Sequence, residues 1–269
     1  MNLDFSSAFT ERTPRIVNAA KLLKAAGRKK SSGFLVEGSN CVDAAIATGA
    51  ATDVFVTEEG SARYADLISL ARNMSIYVHP ITERAAKSLS ATVTTPGIFA
   101  LCTDVLWSPK EVLGRSPRLV AVPVDTNDPG NAGTMIRVAD AMGADAVLFA
   151  GNSTDPQGPK AVRSTAGSLF HIPVAKDPSI ESSLQRLKAK GLTVLATAAD
   201  GELNLDEAEE LLSQPTAWLF GNEAHGLGEE LLAQADHRVR IPIHGRAESL
   251  NLATAASICL YSSARIQNR

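Results

Sequence analysis

Three stretches of the chain crowd Gly, Asn, Glu and Ser directly behind short apolar runs, and side chains of these types can bind and orient a ligand. In DTNDPGNAGTMIRVADAMGADAVLF (125–149) a turn with Pro129 and Gly130 leads into a helix whose apolar stripe is Ala132, Met135, Ile136, Ala139 and Met142. Asn131 and Arg137 lie off that stripe. Gly133 permits close backbone approach at a helix start, where free N–H groups attract an anion, although such a turn is also a plain tight connection. In LFGNEAHGLGEE (219–230), Gly221, Gly226 and Gly228 allow sharp turns and place Glu223 among them; its carboxylate either caps the next helix or orients a ligand or an arginine. In IPIHGRAESLNLATAASICLY (241–261), Ser249 and Asn251 stand at a helix start, where serine is also an ordinary N-cap. Other chemistries lack their signatures. GxGxxG, GK[ST] and GxSxG are absent, His79, His171 and His237 show no ligand spacing while His225 and His244 adjoin the second and third stretches incidentally, and Cys41, Cys102 and Cys259 are far apart without CxxC. A dinucleotide-dependent oxidoreductase, a P-loop enzyme, a serine esterase and a zinc hydrolase are therefore disfavoured.

Something must bring these distant turns together. The apolar runs 119–125, 146–150, 193–198, 217–221 and 239–243 alternate with helical patterns at 131–142, 179–190, 227–235 and 249–266. Continuous apolar strands separated by helices predict a mainly parallel sheet covered on both faces, with ligands beyond the carboxyl ends of the strands. Pro123 conflicts with a central strand. Upstream, PRIVNAAKLLKAAG predicts one amphipathic helix over 14–27 that leaves at Gly27, followed by strands at 34–38 and 53–57 and a helix over 39–49 capped by Ser39. Residues 105–118, with two prolines and a glycine, predict a linker. The expected domains are thus 1–104 and 119–269, joined by 105–118.

With 45% hydrophobic and 20% charged residues and a net charge of −3 over 269 residues, the chain is globular, and no apolar run reaches the length of a membrane span. The N-terminus has no basic-then-apolar leader, so a cytoplasmic protein with reduced thiols is expected. Charge is uneven. Arg12, Arg15, Lys21, Lys24, Arg28, Lys29 and Lys30 fall within 12–30 with no acid among them, either a solvated helix face or a local field for a phosphate backbone.

DPGNAGTMIRVADAMGADAVLF, LFGNEAHGLG and IPIHGRAESLNLATAASICLY, in this order, resemble the three successive motifs of the SpoU/TrmH family of RNA ribose methyltransferases over roughly residues 119–265. RKKSSGFLVEGSNCVDAAI resembles the small, ribosomal-protein-like RNA-binding domain that many members carry upstream. The resemblance implies an α/β chain in which an N-terminal RNA-binding domain precedes a SPOUT α/β-knot domain with a mainly parallel sheet and a C-terminal trefoil knot. It implies S-adenosylmethionine as cofactor, held by Thr197, Ala198, Gly221, Gly226, Ile241, Ile243 and Leu250, and a catalytic set of Asn131, Arg137, Glu223, Ser249 and Asn251 without metal. In that set Arg137 is expected to stabilise a phosphate or alkoxide, with Asn131 and Ser249 positioning it; a guanidinium with a pKa above about 12 is a poor base. Arg15, Lys21, Arg28, Lys29 and Lys30 are expected to hold RNA, with ribosomal RNA the expected target and DNA excluded by the need for a 2′-hydroxyl, and the catalytic domain is expected to form a homodimer. The alternative is a non-catalytic RNA-binding or ribosome-assembly protein that retains the fold.

Overall fold

The structure is a computed structural model describing residues 3–268. Packing divides it into two compact units: the described residues up to Val105 together with Asp155–His171, and Leu106–Thr154 together with the described residues from Ile172 on.

In the first unit, the apolar runs form β1 (Gly33–Glu37), β2 (Ala51–Val56), β3 (Tyr77–Pro80) and β4 (Ile98–Thr103), ordered β1-β4-β2-β3. β4 runs antiparallel to β1 and β2, and β3 lies parallel to β2 at the edge. Ile16, Ala19 and Leu22 pack on Phe55 and Phe99 to make the core of one face. The helix expected over 14–27 is two helices, Pro14–Lys21 and Ala25–Ser31. Gly27 is not an exit: a Cβ there would stand 2.0 Å from the Lys21 carbonyl oxygen, so the glycine lets the second helix fold back onto the first. Ser39 is likewise not the cap of its helix, Ser39–Ala47; Gly38, at φ +90°, holds that position.

The stretch 155–171, expected within the second domain, packs in the first unit. The Arg163 guanidinium pairs with Glu37 at 2.6 Å, the Arg28 guanidinium pairs with Asp155 at 2.8 Å, and Gly167 lies against the Asn40 backbone. Polar pairs between residues more than 120 positions apart leave no periodic signal in sequence.

The second unit holds β5 (Leu119–Pro123), β6 (Ala146–Ala150), β7 (Val174–Asp177), β8 (Thr193–Thr197), β9 (Leu203–Asn204), β10 (Thr216–Phe220) and β11 (His237–Arg240). Their order is β7-β6-β5-β10-β8-β11-β9 and every pairing is parallel. On one face Val120, Val122, Leu148, Val194 and Leu219 pack with Leu184 and Leu187 of the helix Ile180–Ala189. The alternate residues of β10 face the other way, where the Trp218 Nε1–H donates to Ser263 Oγ at 2.8 Å on the final helix, Leu252–Gln267. Pro123 is accommodated because it closes β5: the ladder resumes with Val124 N–H donating to Phe220 O and Asp125 N–H to Ala150 O.

The expected linker 105–118 is folded rather than free. It contains the short helix Pro109–Val112, closed by a capping box between Ser108 and Glu111, and it buries Val112 and Leu113 in the core of the second unit. A four-residue helix is too short to show a period.

Candidate active site

β6 and β7, which follow β5 in the chain, lie to one side of it, whereas β8 to β11 lie to the other, so the chain reverses its direction of winding between β5 and β10. A crevice opens beyond the carboxyl ends of strands at such a point. Here two turns meet. After β5, Asp125 adopts φ +48°, a conformation that a short polar side chain tolerates. Its Oδ1 accepts Asn152 N–H at 2.7 Å, and its carbonyl accepts the Asn222 side-chain amide from the β10 turn at 2.6 Å. Asp128 then caps the helix Pro129–Ala141 by accepting Asn131 N–H at 2.9 Å.

Glu223 joins the same two turns. Its carboxylate accepts Asn127 N–H and Asp128 N–H, each at 3.3 Å, and the Asn131 side-chain amide at 3.1 Å. Partial burial alone pushes this carboxyl up, but the hydrogen bonds from Asn131 and the local backbone together hold it below the usual glutamate range. Glu223 thus does not cap the helix that follows it; its partners are the backbone of the β5 turn and the Asn131 amide, and none of them is an arginine. Asn131 extends the network, its Oδ1 accepting from Asn251 Nδ2 at 3.1 Å. Asn251 also caps the final helix through Ala253 N–H and Thr254 N–H. The cap is thus Asn251, and Ser249 is free of that duty.

These turns enclose a cavity of about 590 Å³, a volume suited to a single small-molecule ligand. Asn131, Glu223, Ser249 and Asn251 line it. So do all seven residues expected to hold the cofactor: Thr197 at the end of β8 with Ala198 just behind it, Gly221 and Gly226 behind β10, and Ile241, Ile243 and Leu250 behind β11. Backbone at glycine turns and aliphatic side chains such as Val239 and Ile241 suit the edges and faces of a purine, while Glu248 and Glu223 supply negative charge toward a cationic group. Arg137 does not line the cavity. It is exposed, six residues beyond Asn131 along the same helix, roughly 9 Å in rise, and Asn131 engages Glu223 and Asn251 in place of the expected positioning of Arg137. Asn222 and Glu248 escaped the sequence reading; the signal for Asn222 was an amide placed immediately after a buried strand and a glycine.

Among the residues expected to hold RNA, Lys21, Lys29 and Lys30 are exposed. Arg15 is half-exposed and pairs with Asp53 at 2.6 Å. Arg28 is not a surface cation: its side chain is 9% exposed, with Nε donating to Asp155 and Nη1 to the Leu22 carbonyl, each at 2.8 Å. It folds inward because those acceptors offset the cost of burying its charge.

A parallel α/β sheet whose carboxyl-end turns, built from glycines, amides and a carboxylate, form a cavity at a winding reversal defines the class of α/β proteins with a small-molecule crevice at that point. Comparison with known proteins gives the particular group. Residues 118–261 match the SpoU rRNA Methylase family and residues 13–100 the MRM3-like substrate binding domain, and the chain belongs to the SpoU rRNA methylase family. It is 33% identical to the 23S rRNA (guanosine(2553)-2′-O)-methyltransferase RlmP of Bacillus subtilis (strain 168), over 87% of this chain and 89% of that one. It is 35% identical to the 23S rRNA (uridine(2479)-2′-O)-methyltransferase of Streptomyces viridochromogenes, over 67% of this chain and 71% of that one. The crystal structure of the SpoU methyltransferase AviRb from Streptomyces viridochromogenes superposes with a TM-score of 0.84 at 27% identity, covering 95% of this chain and 98% of that one. A structure of AviRb with the cofactor AdoMet superposes with a TM-score of 0.82 at 26% identity, covering 94% and 98%.

Proposed function

We propose that the chain transfers a methyl group from S-adenosylmethionine to a ribose 2′-hydroxyl of ribosomal RNA. The observation that carries this reading is the gathering of Asn131, Glu223, Ser249 and Asn251 with all seven expected cofactor residues around one cavity. The volume, the apolar and backbone lining and the two carboxylates fit the cofactor, whose sulfonium methyl is activated without a metal. Glu223 fixes the β5 turn through three hydrogen bonds and so sets the position of Asn131 at the cavity wall. Asn251 ties that wall to the start of the final helix. Arg137, exposed, permanently charged and outside the cavity, meets the RNA by holding a backbone phosphate. In-line approach of the hydroxyl is a matter of positioning, which rigid turns supply.

The first unit binds the RNA, the second forms a homodimer through its catalytic region, and the C-terminal segment is threaded as a trefoil knot. A cytoplasmic location accords with this reading; among the described residues no helix is long and apolar enough to cross a membrane. The test is transfer of labelled methyl from S-adenosylmethionine to deproteinised 23S rRNA, followed by mapping of alkali-resistant linkages. Label in a base, or no label with rRNA or ribosomal subunits, would sink it.

A further inference from the structure

At the open edge of the first unit's sheet, Tyr77 and His79 are register partners of Asp53 and Phe55 on β2, and alternate residues share a face. Three rings lie nearly parallel there. Phe9 and His79 have centroids 5.0 Å apart and planes 23° apart, and Tyr77 and His79 have centroids 6.2 Å apart and planes 19° apart. Phe55, fully buried, also stacks on His79, with centroids 5.4 Å apart and planes 28° apart. His79 is fixed by Asp53, whose Oδ1 lies 2.8 Å from Nε2 and also accepts the Arg15 guanidinium at 2.6 Å. Phe9, Phe55 and Tyr77 all neighbour His79, and of this cluster Tyr77 is the member open to solvent, the residue being 72% exposed. An exposed aromatic ring nearly parallel to its neighbour, on the strand next to an aspartate that holds a cation in an ion pair, leaves room for one more planar group and its charge.

We propose that Tyr77 is a stacking platform for an unpaired base of the RNA, with Arg15 placed for the adjoining phosphate. The inference rests on the RNA-methylation reading and adds a contact to it. The occupant is a nucleic acid because Arg15 belongs to the acid-free run 12–30, whose exposed Arg12 and Lys21 stand just before and at the end of the same helix and favour a polyanion, whereas Lys29 and Lys30 lead into β1 at the other edge of the sheet. It is an unpaired base because only an unstacked base offers a free face to an aromatic side chain.

The test is fluorescence anisotropy of the full chain with an end-labelled, single-stranded RNA dodecamer of mixed sequence, repeated with deproteinised 23S rRNA as competitor. Tyr77→Ala is expected to weaken binding by about 5- to 50-fold, while Tyr77→Phe stays within about twofold. The melting temperature and S-adenosylmethionine affinity of Tyr77→Ala should match the parent, since the ring covers no core. Parent-like RNA binding by Tyr77→Ala, in a chain that does methylate rRNA, overturns the platform and leaves the methylation reading standing. A Tyr77→Ala change in oligomeric state, read by sedimentation, overturns it in favour of an interface with a second copy. If the parent chain neither binds nor methylates RNA, both readings fall.

Discussion

Glu223 is the side chain through which the site is most exposed to a single change. Three donors converge on its carboxylate, so Glu223→Gln both removes the charge and turns an amide N–H toward groups that need an acceptor. Hydrogen bonds to a charged group contribute about 1.5–3 kcal/mol each, toward the low end here because Glu223 is exposed, so loss of one is expected to lower kcat/KM by about tenfold, measured by initial rates with rRNA. Asn131→Ala should do less harm to the turn, because the two backbone donors remain. The same carboxylate gives a pH dependence whose sign is fixed by the direction of its shift. Its folded value lies below the ordinary one of about 4.3, so the ionised form stabilises the turn above that pH, and this contribution is lost as the pH falls through the lowered folded value. Solvent screening keeps the effect small. S-Adenosylmethionine affinity should therefore hold steady from pH 8 to 5 and decline at lower pH, and calorimetry on Glu223→Gln should find that decline reduced.

At the scale of elements, the turn after β10 closes on itself with no space to spare. A Cβ on Gly221 would stand 2.3 Å from the Gly226 carbonyl carbon and 2.5 Å from Leu227 N, both backbone, and the Asn222–Gly226 bridge that closes the turn has no other path. Gly221→Ala is thus expected to open the turn, displace Glu223 and abolish measurable S-adenosylmethionine binding in calorimetry, while β10 stays anchored by Trp218 and Ser263. Retained affinity would show that the turn yields more easily than its contacts imply. The strands that carry the site were legible because β5, β6, β8 and β10 are buried along their whole length or nearly so and read as unbroken apolar runs. β11 was read out of place: the apolar run 239–243 begins two residues after His237 and ends three beyond Arg240, and Ile241 and Ile243 are apolar because they line the cavity. β7 went unread because Lys176 and Asp177 interrupt its apolar run, Lys176 being satisfied by the Ser153 carbonyl and Asp177 by Ser179 N–H. The long-range pairs that set the reach of each unit have no local signature at all.

For the molecule as a whole, the decisive contrast is between a net charge of −3 and the cation-rich stretch 12–30, and the structure changes which of those cations face solvent. Counting all of them as RNA ligands overstates the field, because Arg28 is paired inside the first unit and serves its packing. Arg28→Ala should accordingly act on stability: it leaves Asp155 and the Leu22 carbonyl without their donor, and breaking such a buried pair costs about 3–5 kcal/mol where burial is complete, less here because Asp155 is partly exposed. Lys29 and Lys30 are exposed, so Lys29→Glu with Lys30→Glu should leave the melting temperature nearly unchanged and act on association. Each phosphate contact adds about 0.7–0.9 to the slope of log affinity against log salt, so losing two should flatten that slope by about 1.5. Titrations of rRNA at several salt concentrations, beside thermal melts of both variants, separate the two roles. A lowered melting temperature without a changed salt slope in the lysine variant would place those side chains in the packing of the first unit, and an unchanged melt for Arg28→Ala would return that residue to the RNA surface.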